Sequence, residues 1–254
     1  MVEQALLQIS GVVKQFGGLL ALDGVSFEVR SGDFFGLIGP NGAGKSAMIN
    51  IVTGLYKPTK GSVLFQGHDV TNLRPHLRHQ LGMSRTFQHS TLFFELSVLE
   101  NIMMGVRAIS KVGLWGTFAK TRAHRRADQE IGEIAEQAVE MLGLNRYRKE
   151  PAGKLPYGLQ KIVSIGMAVA SRPKLLLLDE PLTGLVASEV DQVMEQIASL
   201  NSEGITVLIV EHNMRAVMSY CNRIMVLSFG NKIAEGHPSE VQRNEQVIKS
   251  YLGE

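Results

Sequence analysis

What the 254-residue sequence lacks narrows its class first. It holds one cysteine, Cys221, which excludes an intramolecular disulfide and a cysteine-rich metal site. The flanks of Cys221 point to core packing rather than to a nucleophile. No apolar run reaches the ~18 to 20 residues needed to cross a bilayer. The start, Met1-Val2-Glu3-Gln4-Ala5, has neither the basic segment nor the long apolar core of a secretory signal, so a cytosolic location is expected. There is no internal repeat, no low-complexity linker and no strong charge of one sign; a formal +2 neither demands nor excludes nucleic acid. What remains, 44% hydrophobic and 20% charged residues, is an ordinary globular composition. A chain of this length buries a substantial core as one large α/β domain or as a domain with an inserted subdomain.

The stretch that organises the chain is Gly39-Pro40-Asn41-Gly42-Ala43-Gly44-Lys45-Ser46, which fills every fixed position of the phosphate-binding pattern G-x-x-x-x-G-K-[ST]. A chance match is expected on the order of 0.01 times per chain of this size. The context is the required one: Asp33 to Ile38 is an apolar run of strand length, and Ala47 to Val52 reads as the first turns of a buried helix. The glycines let backbone N–H groups and the helix N-terminus face phosphate oxygens. Lys45 then reaches the β- and γ-phosphates, and Ser46 offers its hydroxyl to Mg²⁺.

Leu6 to Val13 and Val25 to Val29 alternate as antiparallel strands, and Gly61 to Val70 extends the same sheet. Phe16 lies between the first two; taken alone, an aromatic at a strand end serves the core more often than a purine base. Met83 to Gln88 is strand-like and opens a new module. Ser97-Val98-Leu99-Glu100 has the form of a capping box, and apolar residues from Lys120 to Leu142 fall at helical spacing, with Gly143 as C-cap. The basic run Lys120 to Arg126 reads as a solvated helix face, because no aromatic interleaving or nucleic-acid motif accompanies it. Residues 89–158 are expected to form a helical insertion. After a helix from Leu159 to Ser171, Leu175 to Leu178 is a strand buried on both faces that ends in Asp179-Glu180. Ile205 to Val210 repeats this plan and ends near His212, and both strands are expected beside the one that feeds the phosphate loop. Short strands at Arg223 to Leu227 and Lys232 to Glu235 and terminal helices from Pro238 complete the chain.

A phosphate loop needs a second carboxylate-bearing strand, because Mg²⁺ is held by few protein oxygens together with phosphates and waters. Asp179 fits that role, and Glu180 stands where a carboxylate orients or deprotonates the attacking water. A lone histidine is usually structural, but the position of His212 past an apolar strand suits a donor to the γ-phosphate.

With these residues in view, the whole chain resembles the ATP-binding subunit of an ABC transporter. The resemblance implies that Phe16 stacks on adenine and that Gln88 meets Mg²⁺ and the attacking water. It also implies that Leu155-Pro156-Tyr157-Gly158-Leu159 stands for the signature Leu-Ser-Gly-Gly-Gln, through which Tyr157 and Gly158 reach nucleotide. Ser46, Gln88 and Asp179 become the metal side; Glu180, His212 and Gln88 become the catalytic set. Thr183-Gly184-Leu185-Val186 falls at the loop that crosses the dimer interface. Lys14 to Leu19, Arg85 to Gln88, Glu211-His212-Asn213-Met214 and the ending Ser250 to Glu254 are similar to the ATPases of branched-chain amino acid importers. Ala47, Pro156, Leu159 and Val186 depart from the family pattern.

The implied fold is α/β, a P-loop NTPase (RecA-like) core with an antiparallel β subdomain and an inserted helical subdomain. Residues 1–254 form one cassette, with 1–88 and 159–254 as core and 89–158 as helical subdomain. The implied ligands are ATP and Mg²⁺. The implied partners are a second ABC ATPase subunit, a related paralogue or an identical copy, and transmembrane permease subunits. A periplasmic or extracellular solute-binding protein is implied indirectly, and nucleic acid is not expected. The implied place is peripheral, on the cytoplasmic face of the cell membrane. Urea, amides or aromatic acids are alternative cargoes, and a soluble non-transport ABC ATPase is the alternative class. A small GTPase is disfavoured, since Asn231-Lys232 continues as Ile233-Ala234 instead of completing Asn-Lys-x-Asp.

Overall fold

The computed structural model describes residues 5–86, 92–107 and 122–252. Contacts group the chain into two compact units, Met1–Gln88 with Lys174–Gly184 and Ile197–Glu254, and His89–Pro173 with Leu185–Gln196.

In the first unit, β1 (Ala5–Phe16), β2 (Leu19–Arg30), β4 (Lys60–Phe65) and β5 (His68–Asp69) form an antiparallel sheet in the order β2-β1-β4-β5. The alternation that marks these strands in the sequence survives as alternating burial, clearest along Val25, Phe27 and Val29. A second sheet has the order β10-β9-β3-β8-β7-β6. Its strands are β3 (Phe34–Ile38), β6 (Met83–Thr86), β7 (Leu175–Asp179), β8 (Thr206–Val210), β9 (Arg223–Ser228) and β10 (Asn231–Gly236). Only β10 runs antiparallel to its neighbour. Every residue of β3, β7 and β8 is buried, as continuous apolar strands of a doubly covered sheet must be. Each fully buried leucine of Leu175–Leu178 contributes about 1.5–3 kcal/mol by leaving water. Phe27 and Phe35 stack at 5.6 Å and join the two sheets.

The sheet corrects one expectation. Only β8 lies beside β3 on that side, and β7 lies one strand further out, between β8 and β6. The three buried strands are alike in composition, so their order comes from the crossover connections and not from the residues in them. The carboxyl ends of the parallel strands still share one edge, which is where ligands bind in open α/β sheets.

The second unit is helical: α3 (Val98–Arg107), α4 (Arg122–Met141) and α5 (Tyr157–Val169). Ser97 and Glu100 form the expected capping box, with Ser97 N–H donating to Glu100 Oε2 at 2.8 Å and Glu100 N–H donating to Ser97 Oγ at 3.2 Å. Ile131, Ala135, Ala138, Val139 and Leu142 supply the buried stripe of the charged segment. Helix α5 groups by contact with this unit. Among the described residues, no helix is long and apolar enough to cross a membrane.

Candidate active site

The phosphate loop runs from the end of β3 into α1 (Lys45–Val52). Gly39 lies in the left-handed half of backbone space at φ 154°, and a Cβ there would meet the Leu227 carbonyl oxygen at 2.2 Å. Only glycine fits. The loop is braced from below, since Gly230 N–H donates to the Ala43 carbonyl at 3.0 Å and Ala43 N–H donates to the Pro40 carbonyl at 3.2 Å. Lys45 is buried, and its Nζ donates to the Gly39 and Pro40 carbonyls at 2.7 and 3.1 Å. Burial lowers its pKa, while the Glu180 and Asp179 carboxylates oppose that shift. The ammonium therefore stands among the loop and the two acids that the sequence assigned to phosphate and metal. Asn41, Gly42 and Ser46 are exposed, Pro40, Gly44 and Ala47 half-buried and Ala43 buried, so the serine hydroxyl sits at the open first turn of α1.

Asp179 ends β7 buried, and its Oδ2 accepts from Arg85 Nη2 at 2.6 Å. Arg85, on β6, also donates to Asn50 Oδ1 at 2.7 Å and Thr53 Oγ1 at 3.1 Å, which ties the acid to the face of α1. Glu180 follows in a left-handed conformation, φ 47°, that non-glycine residues rarely adopt. Its N–H donates to the Val210 carbonyl at 2.9 Å. His212 stands just past β8 with its ring exposed, its Nδ1 3.9 Å from Glu211 Oε2. Gln88 lies outside the described residues.

Phe16 is 41% exposed and meets Tyr56 edge to face at 5.3 Å, with Lys14 Nζ 4.7 Å from its ring centre. It is not a core residue. The ring is exposed and braced by Tyr56 and Lys14.

In the helical unit, Pro156 precedes the first turn of α5. Tyr157 is exposed, and its ring lies 5.2 Å from Lys161 Nζ. Gly158 is buried, and its N–H donates to Glu189 Oε1 at 3.1 Å. The other oxygen of Glu189 accepts from Val186 N–H at 3.2 Å. Glu189 sits in the first turn of α6 (Ala187–Ser202) and packs so closely that a Cβ on Gly158 would meet its side chain at 3.1 Å.

Several polar residues of this region escape motif reading. Glu211 is fully buried and accepts three backbone hydrogen bonds; its pKa is raised because burial outweighs them. An acid closing the apolar run 205–210 is the same signal that singled out Asp179, and it marks Glu211 too. Arg78, on α2 (Pro75–Gln80), is buried and donates to the carbonyls of Ile51, Val52, Thr71 and Leu73, thereby capping α1; burial lowers it to about 10. Tyr251, on the helix Glu245–Leu252, shares a hydrogen bond with the Gly39 backbone, and burial pushes its phenol up to about 12.

Residues 22–183 match the ABC transporter family. The chain belongs to that family. Residues 231–254 match a second family, described as branched-chain amino acid ATP-binding cassette transporter. A curated relative, the high-affinity branched-chain amino acid transport ATP-binding protein LivG of Salmonella typhimurium, is 40% identical over 252 residues, covering 99% of each chain. Among solved structures, a nucleotide-free ATP-binding cassette from an ABC transporter superposes with a TM-score of 0.86 at 35% identity, over 99% of this chain and 100% of that one. A dimeric cassette in a post-hydrolysis state, bound to ADP and phosphate, superposes with a TM-score of 0.73 at 25% identity, over 91% of this chain and 98% of that one. The cassette is thus an α/β P-loop nucleotide-binding protein of the ABC ATPase class, and the resemblance drawn from its motifs holds along the full chain.

Proposed function

We propose that this cassette is the subunit that hydrolyses ATP to energise a branched-chain amino acid importer. The observation that carries the reading is the meeting of Lys45 with its own loop carbonyls under the opposing charge of Asp179 and Glu180, in a chain whose likeness to LivG runs end to end. ATP binds with adenine on Phe16 and phosphates in the loop Gly39 to Ser46. Ala47 lies in the first turn of the helix behind them.

The residues fit Mg²⁺. A hydroxyl at Ser46 and one carboxylate at Asp179 suit a cation held mostly by phosphates and waters. Ser46, Asp179 and Gln88 would hold it, and when bound it neutralises phosphate charge. Glu180 takes a proton from, or orients, the attacking water, and His212 donates to the γ-phosphate. Lys45 supplies a fixed positive charge to the β- and γ-phosphates.

The first unit serves as catalytic core and the second as helical subdomain. Permease subunits receive the cassette at the inner face of the membrane, and a periplasmic or extracellular solute-binding protein delivers cargo to them. In the first unit a cleft of about 270 Å³, lined by Leu55, Pro75, His79, Met83 and Arg85 among others, offers a route for coupling, because Arg85 lines the cleft and also pairs with Asp179. In the second unit Phe93 and Phe94 are 45% and 55% exposed on a loop that Asn101 holds by four hydrogen bonds, while Leu92 is buried. That fixed apolar display suits a permease contact.

A specific observation favours a related paralogue over an identical copy as the second ATPase. Pro156 has no N–H, Leu159 has no polar side-chain atom, and Gly158 N–H is already taken by Glu189, so the signature of this chain offers little to a partner's γ-phosphate. Two variants test the hydrolytic site together. Glu180→Gln is expected to bind Mg-ATP and stop turnover, whereas Lys45→Ala loses ATP binding; native turnover in Glu180→Gln contradicts the assignment.

A further inference from the structure

The carboxylate of Glu211 has no exposure to solvent, and among the residues assigned above it touches His212, through the backbone N–H and, at 3.9 Å, the ring. Its Oε1 accepts from Leu182 N–H at 2.8 Å, and its Oε2 accepts from His212 N–H at 3.1 Å and Asn213 N–H at 3.4 Å. One oxygen thus faces the turn that follows Glu180, and the other faces the strand end that carries His212. The backbone around it repeats the bridge. Glu180 N–H donates to Val210 O at 2.9 Å, and Glu211 N–H reaches Leu37 O, in the strand that feeds the phosphate loop, at 3.4 Å.

Packing does not ask for an acid at the end of an apolar strand, and an ionised carboxylate in a dry site is costly unless hydrogen-bonded. A hydroxyl or amide would serve a single turn. Two oxygens shared between two turns serve to hold those turns at one spacing. The need is specific, because Glu180 keeps a left-handed backbone that relaxes unless its surroundings over-determine it.

We propose that Glu211 is a positioning residue for ATP hydrolysis: its buried carboxylate clamps the turn after Glu180 to the strand end of His212 and keeps both side chains in register with the γ-phosphate. This rests on the roles given above to Glu180 and His212. Glu211 contacts neither nucleotide nor water in the reaction; it sets where the groups that do so are held.

The test uses the full-length chain with ATP, by single-turnover hydrolysis at saturating nucleotide, with calorimetric ATP affinity and binding stoichiometry on the same samples. In Glu211→Gln the one remaining carbonyl serves one turn and the amide faces donors at the other. Turnover per bound ATP is expected to fall at least tenfold while ATP affinity stays within threefold. Glu211→Asp keeps the charge and reaches its own strand end but falls short of Leu182; at least a fivefold fall is expected, and this variant decides the matter should the glutamine variant fail to fold. A merely structural role lowers the number of binding sites or the melting temperature and leaves turnover per site unchanged. Native turnover per site in either folded variant overturns the proposal. Glu180→Gln run alongside keeps the two readings apart: hydrolysis surviving there counts against the assigned base, whereas arrest there with native turnover in Glu211→Gln counts against the clamp alone.

Discussion

Gly158 N–H and Glu189 Oε1 lie 3.1 Å apart, so the first turn of α5 is already engaged by a carboxylate of its own chain. The same side chain holds Val186 N–H at 3.2 Å. A negative group at a helix N-terminus stabilises it by about 0.3–1 kcal/mol, and it also repels a second anion brought to the same donors. Glu189→Gln is therefore expected to lower the melting temperature slightly. In a Glu180→Gln background it should strengthen ATP-driven association of the purified chain at least threefold by sedimentation. Unchanged or weaker association would mean that the carboxylate organises this turn for a partner instead of blocking it.

Phe16 and Tyr56 behave as one platform, because Tyr56 meets Phe16 edge to face and Lys14 spans both rings. Phe16→Ala is expected to weaken ATP binding by about 1 kcal/mol, the usual worth of such an aromatic contact, with the fold intact. Tyr56→Ala acts only through the pose of Phe16 and costs less. Calorimetry on both variants checks this; equal ATP affinity in Phe16→Ala and native chain removes the stacking assignment.

Arg78→Met keeps the aliphatic stem but leaves four backbone carbonyls, two at the end of α1 and two in the segment between β5 and α2, without their donor. Buried acceptors left unmade cost roughly 1–3 kcal/mol each before water enters, so a loss of about 2–4 kcal/mol in unfolding free energy is expected. Urea denaturation measures it. A change under about 0.5 kcal/mol would show that water replaces the guanidinium without penalty.

What the sequence reveals and what it hides follow a physical rule. The phosphate loop, the strand ending in Asp179-Glu180 and the capping box at Ser97 are legible because their chemistry lies in consecutive residues. The helix Tyr157–Val169 and the antiparallel sheet are legible because burial imposes a period. The place of β7 is not, since β3, β7 and β8 carry the same all-buried pattern and any order satisfies it. Partners distant in sequence stay hidden for the same reason: Arg85 with Asp179 is 94 residues away, Glu189 with Gly158 is 31, and Glu211 with Leu182 is 29. A glutamate reads as a solvated charge until the fold closes over it. The roles of Phe16 and Gln88 came through the family resemblance, whereas the exposure of Phe16 and the strained backbone of Glu180 belong to the fold.

Phe93 and Phe94 are expected to matter for coupling and not for chemistry. Asn101 and Gly153 hold their loop, with Gly153 N–H donating to the Phe94 carbonyl at 3.0 Å, so charged side chains at these exposed positions leave the fold unstrained. Phe93→Asp with Phe94→Asp should retain ATP hydrolysis in the purified chain and lose transport in the assembled system. Loss of hydrolysis in the purified chain would assign the two rings to packing.

The central claim is that ATP cleavage by this cassette drives uptake of a branched-chain amino acid. The most direct measurement is leucine-stimulated ATP hydrolysis in proteoliposomes that hold the cassette, its permease subunits, a companion cassette and the cognate solute-binding protein. Stimulation that requires leucine-loaded binding protein and vanishes with Glu180→Gln is the predicted result. Hydrolysis indifferent to leucine, or stimulated only by urea, an amide or an aromatic acid, would contradict it.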